Sequence, residues 1–123
     1  MNAIRNSVRL IGNVGNAPEL KEFENGTGKN KTIQKMARFS MATNENYVDR
    51  KGERQTNTEW HNVVAWGKSA ELVEKLLQKG TEVVVEGKIA TRSYEKDGVK
   101  RSSTEIVLSE LLVLNKKTVG QEA

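Results

Sequence analysis

Residues 57–80, Asn57-Thr-Glu-Trp-His-Asn-Val-Val-Ala-Trp-Gly-Lys-Ser-Ala-Glu-Leu-Val-Glu-Lys-Leu-Leu-Gln-Lys-Gly80, change their apolar period partway along. From about Asn57 to Trp66 the β-branched and aromatic residues read as a strand. From Gly67 to Gly80 the residues Leu72, Val73, Leu76 and Leu77 fall on one helical stripe, and Glu71 stands four residues before Lys75 as a favourable ion pair. Gly80 suits the C-terminal cap. A strand that feeds directly into the one convincing helix of the chain fixes the reading of everything around it.

Upstream, Ala37, Phe39, Met41 and Thr43 alternate with Arg38, Ser40 and Asn44, which predicts a half-buried strand from about Ile33 to Tyr47. The polar run from Asp49 to Arg54 leaves no room for a crossover, so this strand and the next pair as an antiparallel hairpin. Near the start, Val8 and Leu10 alternate with polar residues over 5–14 before Gly12 and Gly15 interrupt, as in a strand that bends or bulges. Asn16-Ala-Pro18 forces a turn, and the short apolar pair Leu20 and Phe23 leads into a loop at Asn25-Gly-Thr-Gly28.

Downstream, Val83-Val-Val85 opens a strand over 81–94, Lys96-Asp-Gly98 is a turn signal, and a last strand spans 100–114. Five strands with one helix between the third and fourth define the expected fold: all-β, an OB-fold, a five-stranded Greek-key barrel of the kind whose sheet face and loops bind oligonucleotides. The expected domain covers residues 1–115, with 116–123 as a short flexible tail. At 123 residues the chain has the size of a single domain, and 36% apolar with 29% charged residues suits a globular protein and neither a disordered nor a membrane one.

Several function classes drop out on composition. With no cysteine there is no disulfide scaffold, thiolate zinc site or cysteine nucleophile. No signal-peptide h-region and no apolar run of spanning length occurs, so a cytoplasmic protein without membrane contact is expected. Gly67-Lys68-Ser69 resembles the end of a P-loop, but Asn62 stands where its first glycine belongs and the intervening Val63-Val-Ala-Trp66 is strand. His61 is the single histidine, with no second imidazole or thiol to complete a metal site. No enzyme and no cofactor is expected.

The net charge of +4 is modest, but its distribution is uneven. Residues 28–38 carry Lys29, Lys31, Lys35 and Arg38 without an acid, and 88–101 set Lys88, Arg92, Lys96, Lys100 and Arg101 against Glu95 and Asp97. Unpaired bases are gripped by stacking on aromatic faces while cations follow the phosphates. Trp60 and Trp66, six residues apart, share one strand face, and Tyr94 shares its face with Lys88 and Arg92. Periodicity alone leaves two readings open for Trp60, Val64 and Trp66, the core or a stacking platform, and a solvated face is the alternative for the cations. Tyr47 falls on the face of the core residues Phe39 and Met41 unless a bulge intervenes.

The stretches Asn6 to Glu19, Phe39 to Tyr47, Thr58 to Lys68, Lys79-Gly80, Glu86-Gly87 and Thr91 to Tyr94 follow one another in the register of a known family. Over about residues 4–114 the chain resembles the bacterial single-stranded DNA-binding proteins. The resemblance implies an OB-fold that assembles as a homotetramer, with a dimer as the alternative, and wraps DNA over its surface. Its stacking positions are matched by Tyr47, Trp60, Trp66 and Tyr94, and its phosphate-contacting cations by Lys68, Lys79, Arg92 and Arg101. Charge and placement add Lys35, Arg38, Lys88, Arg50 and Lys51 to the phosphate contacts, while Gly15 and His61 match positions near subunit contacts.

The departures are specific. Tyr stands for Trp at 47 and 94 and Trp for Phe at 66, which keeps the stacking rings. Asn62 and Ser93 stand where relatives often carry a base. The sequence ends Val119-Gly-Gln-Glu-Ala123, without the acidic tip through which the family recruits repair and replication enzymes, so that recruitment is not expected. The expected function is sequence-tolerant binding and protection of single-stranded DNA during replication, repair or recombination. The alternative is an OB-fold adaptor of the primosome-accessory type, acting chiefly through protein contacts.

Overall fold

The computed structural model describes residues 2–26 and 28–115, so the expected tail at 116–123 lies outside the described residues. After a helical turn α1 (Asn2–Arg5) come β1 (Val8–Val14), β2 (Glu19–Asn25), β3 (Thr32–Val48), β4 (Arg54–Trp66), α2 (Lys68–Leu76), β5 (Glu82–Lys96) and β6 (Val99–Asn115). A 3-10 turn at Gly28–Asn30 precedes β3. The strands form one sheet in the order β1-β5-β6-β4-β3-β2, and an extra β1–β3 pairing closes it. Five strands, β1, β3, β4, β6 and β5, therefore make the expected Greek-key barrel, with β4 and β6 parallel and the other barrel neighbours antiparallel.

The sixth strand, β2, departs from the expected layout. Residues 19–25, expected to hold only an apolar pair and the start of a loop, pair with β3 from Glu19↔Arg38 to Asn25↔Thr32. This ribbon runs past the end of the barrel, so its apolar residues Leu20 and Phe23 stay partly exposed and leave little hydrophobic signal. With β2 counted, the helix lies between β4 and β5.

Inside the barrel Phe39, Met41, Val63, Val83 and Val85 are fully buried, and α2 plugs one end with Ala70, Val73 and the following Leu77. The buried line of the helix is thus i, i+3, i+7, while Leu72 of the expected stripe is 48% exposed. Gly80 is not the cap of the helix. The chain leaves α2 through extended Leu77, and Gly80, at φ 91°, donates its N–H to the Val14 carbonyl at 2.8 Å. It fastens the turn after the helix to the end of β1.

Barrel closure is a matter of close backbone approach. Asn13 and Val14 pair with Ala42 and Met41, and the Gly15 N–H donates to the Ser40 carbonyl at 2.8 Å. Asn16 Oδ1 then accepts from the Ser40 N–H at 3.1 Å and from its hydroxyl at 2.7 Å. A Cβ on Gly12 would sit 2.1 Å from the Ala42 carbonyl oxygen, a backbone atom that cannot swing aside. Gly12→Ala is accordingly expected to pry β1 from β3 and to cost about 1–3 kcal/mol. In urea unfolding this appears as a lower midpoint at unchanged slope; an unaltered midpoint contradicts the account of closure.

Candidate nucleic-acid interface

Along β4 the side chains alternate about the barrel wall. Val63 and Ala65 point into the core, whereas Trp60 is 63% and Trp66 39% exposed. Both indoles face outward, so neither belongs to the core of this chain. Val64 shares their face yet is buried, because the ladder sets Arg38 on one side of it and Val107 on the other.

Each indole has a defined seat. The Trp60 ring edge lies over Gly15, where a built Cβ would come within 2.3 Å of the ring atom Cζ3. Gly15 therefore matters to this site as the floor beneath Trp60. Trp66 packs against Phe23, with ring centroids 6.0 Å apart and planes tilted by 35°, and Met36, register partner of Trp66 and of Lys21, is buried. Phe23 is the aromatic that sequence reasoning left out of the site, since β2 itself went unrecognised.

The same outward face continues onto the β5–β6 hairpin. The strand irregularity at Glu86/Gly87 precedes Lys88, so Lys88, Ala90, Arg92 and Tyr94 keep one face opposite Val107, Glu105, Ser103 and Arg101. Tyr94 is 46% exposed and joins Arg101 in a shallow recess at the hairpin end. Arg38 and Arg92 converge on the buried carboxylate of Glu105. Arg92 reaches it through Nε at 3.0 Å and Nη2 at 3.3 Å, and Arg38 through Nη2 at 3.2 Å.

Other expected contacts lie elsewhere. No bulge interrupts the β3–β4 ladder, so Tyr47 falls on the side of Phe39 and Met41, opposite to Trp60. It is nevertheless 52% exposed, because the hairpin arm beyond Ala42 projects past the barrel. His61 is half-buried on that inner side, and its Nε2 shares a hydrogen bond with the Thr43 hydroxyl at 3.0 Å. Lys35 and Lys68 line a recess beside α2 with Glu22 and Glu71, where Lys35 Nζ pairs with Glu71 at 3.5 Å. Lys79 is exposed in the turn that Gly80 ties to Val14, the residue before Gly15. Among the described residues no group of histidine, cysteine or carboxylate side chains is placed to hold a metal. No described helix is long and apolar enough to cross a membrane.

A closed OB barrel with outward indoles, an adjoining tyrosine and cations on one strand face has the ingredients of an oligonucleotide-binding surface. The chain belongs to the Single-strand binding protein family, whose sequence model matches residues 5–114. It is 41% identical to Single-stranded DNA-binding protein 1 of Chlorobaculum tepidum over 94% of this chain and 68% of that protein. It is 40% identical to the Single-stranded DNA-binding protein of Neisseria meningitidis serogroup A over 89% of this chain and 59% of the other. The chain thus spans about three-fifths to two-thirds of these relatives. In structure it is similar to the Plasmodium falciparum SSB solved in complex with ssDNA, with TM-score 0.74, 35% identity and coverage of 89% and 95%. A Thermus aquaticus single-stranded DNA binding protein follows at TM-score 0.71 and 26% identity, covering 89% of this chain and 50% of that one.

Arg50 and Lys51 occupy the tip of the β3–β4 hairpin, and Asp49 orders that tip. Its carboxylate accepts from the Glu53 N–H at 2.9 Å, from the Gln55 side-chain amide at 3.1 Å and from the Lys51 N–H at 2.9 Å. The Glu53 amide above all, with Gln55 and Lys51 in support, holds the Asp49 carboxyl below its ordinary value. A depressed folded value means that the order is fully present above the ordinary pKa of 3.8 and is lost as pH falls through the lowered one. The Lys51 and Glu53 amide resonances are expected to titrate together with a midpoint below 3.8; a midpoint at or above it contradicts the capping role.

Proposed function

We propose that this chain binds single-stranded DNA without regard to sequence and shields exposed strands during replication, repair or recombination. The observation that carries the reading is the pair of outward indoles on a face shared with Arg38, Lys88 and Arg92. A half-exposed tryptophan leaves much of its apolar area in water, and a stacked base is the ligand that recovers it without demanding a particular hydrogen-bond pattern. The neighbouring guanidinium and ammonium groups offset phosphate charge. Tyr94 with Arg101 extends the track along the β5–β6 hairpin, and Tyr47 with Arg50 and Lys51 supplies a second aromatic–cation pair on the β3–β4 arm. Lys35, Lys68 and Lys79 add phosphate contacts nearer the helix.

The family resemblance and the names of the relatives support the same reading, and nothing in the site favours an adaptor. The protein acts without catalysis and without a cofactor, in the cytoplasm, as an assembly of copies of itself. A homotetramer is the form we propose. Support comes from β1, whose outer edge from Val8 to Ile11 pairs with no strand among the described residues, and from Ile11 and Leu112, 56% and 61% exposed beside the Arg9–Glu86 ion pair.

Titration with oligo-dT is expected to quench tryptophan emission, with an affinity that falls steeply as salt rises. Trp60→Ala and Trp66→Ala are each expected to weaken binding by about 1–3 kcal/mol. Light scattering on the same samples is expected to give the mass of four copies. Unchanged emission on addition of oligo-dT contradicts the stacking mechanism.

A further inference from the structure

The buried carboxylate on the aromatic face has no evident place in an anion-binding surface. Glu105 is 6% exposed, and a negative charge there repels the phosphates that the face is built to attract. Its two partners, Arg38 and Arg92, are themselves expected phosphate ligands, with side chains 35% and 60% exposed.

The geometry indicates what the carboxylate does. Arg92 commits its Nε and Nη2 to Glu105, and Arg38 commits only Nη2. Both guanidiniums keep Nη1, which makes no hydrogen bond among the described residues. Arg38 Nε is shielded from solvent without a hydrogen-bond partner. In register Arg38 faces Val64, between Trp60 and Trp66, and Glu105 adjoins Val107, the other neighbour of Val64. The triad therefore stands between the two stacking rings. Release of either arginine from Glu105 would leave a buried charge with one partner fewer, which is costly, so DNA has reason to use the remaining N–H groups and leave the pair intact.

We propose that Glu105 is a positioning residue that presents Arg38 and Arg92 as a fixed, two-pronged phosphate clamp between Trp60 and Trp66. The proposal rests on the single-stranded DNA reading and deepens it. A freely swinging arginine loses side-chain freedom when it meets a phosphate; one already held by a carboxylate has lost it in advance.

Charge alone and positioning predict opposite signs for one substitution. Glu105→Gln makes the protein more positive by one unit, so charge alone gives tighter binding of oligo-dT. The clamp instead gives binding roughly five- to tenfold weaker at low salt, and a slope of log affinity against log salt shallower by about one. Arg92→Lys keeps the charge but cannot embrace both carboxylate oxygens, and it is expected to weaken binding several-fold with the same shallower slope. Circular-dichroism melts of the full chain accompany each titration. If Glu105→Gln does not fold, Arg92→Lys at an exposed position decides. Equal or tighter binding by folded Glu105→Gln, or wild-type affinity and salt slope in Arg92→Lys, overturns the clamp. A wild-type chain that ignores oligo-dT at low salt overturns the binding reading itself, and the clamp with it.

Discussion

The approach of β1 to β3, close enough that Gly12 has no room for a methyl group against the Ala42 carbonyl, is the constraint on which the rest of the molecule depends. It turns an open sheet into a barrel by pairing the end of β1, at Asn13 and Val14, with β3. The same contact, one turn of chain further on, brings Gly15 beneath Trp60 and sets Asn16 across the Ser40 backbone and hydroxyl. Closure and the seating of the Trp60 ring are thus products of one short segment, Gly12 to Asn16. A substitution there bears on stability and on the surface together.

Once the barrel is closed, the strand period separates the two jobs of β4. Val63 and Ala65 fill the interior, and Trp60 and Trp66 are left outside. The outer face is not simply solvated. Val64 is covered between Arg38 and Val107, Met36 is buried in register with Trp66, and Glu105 is buried against two arginines. A face with its own packed layer holds its rings and guanidiniums in fixed relation, and on the proposed binding reading this lowers the ordering cost of a flexible strand. The chain belongs to the Single-strand binding protein family over residues 5–114 and is similar in structure to two solved single-stranded DNA-binding proteins.

The barrel was legible in the sequence because its strands are long and regularly alternating. Phe39 and Met41 alternate with Ser40 as a half-buried strand does, and the β-branched run Val83-Val-Val85 favours a strand by propensity. β2 was not legible, since Glu19-Leu-Lys-Glu-Phe-Glu-Asn25 has two apolar residues on a ribbon beyond the core. Phe23 was lost from the site with it. The direction of the tryptophans was also hidden: a period of two gives the same pattern whether a face is covered or bare, and the resemblance to a family was needed to favour exposure. The exposure of Tyr47 follows from the length of the arm, a tertiary property that parity does not contain. The convergence of Arg38 and Arg92 on Glu105 joins three strands through their register, and no spacing along the chain announces it.

The central claim is that the face bearing Trp60 and Trp66 is where bases rest. Photocrosslinking to an oligonucleotide in which single thymines are replaced by 5-iodouracil, followed by mass spectrometry of the peptides, tests it most directly. Crosslinks are expected on Trp60 and Trp66, with weaker ones on Tyr94 and Phe23. Crosslinks confined to the α2 side of the barrel, with both indoles unmodified at saturating DNA, would contradict it.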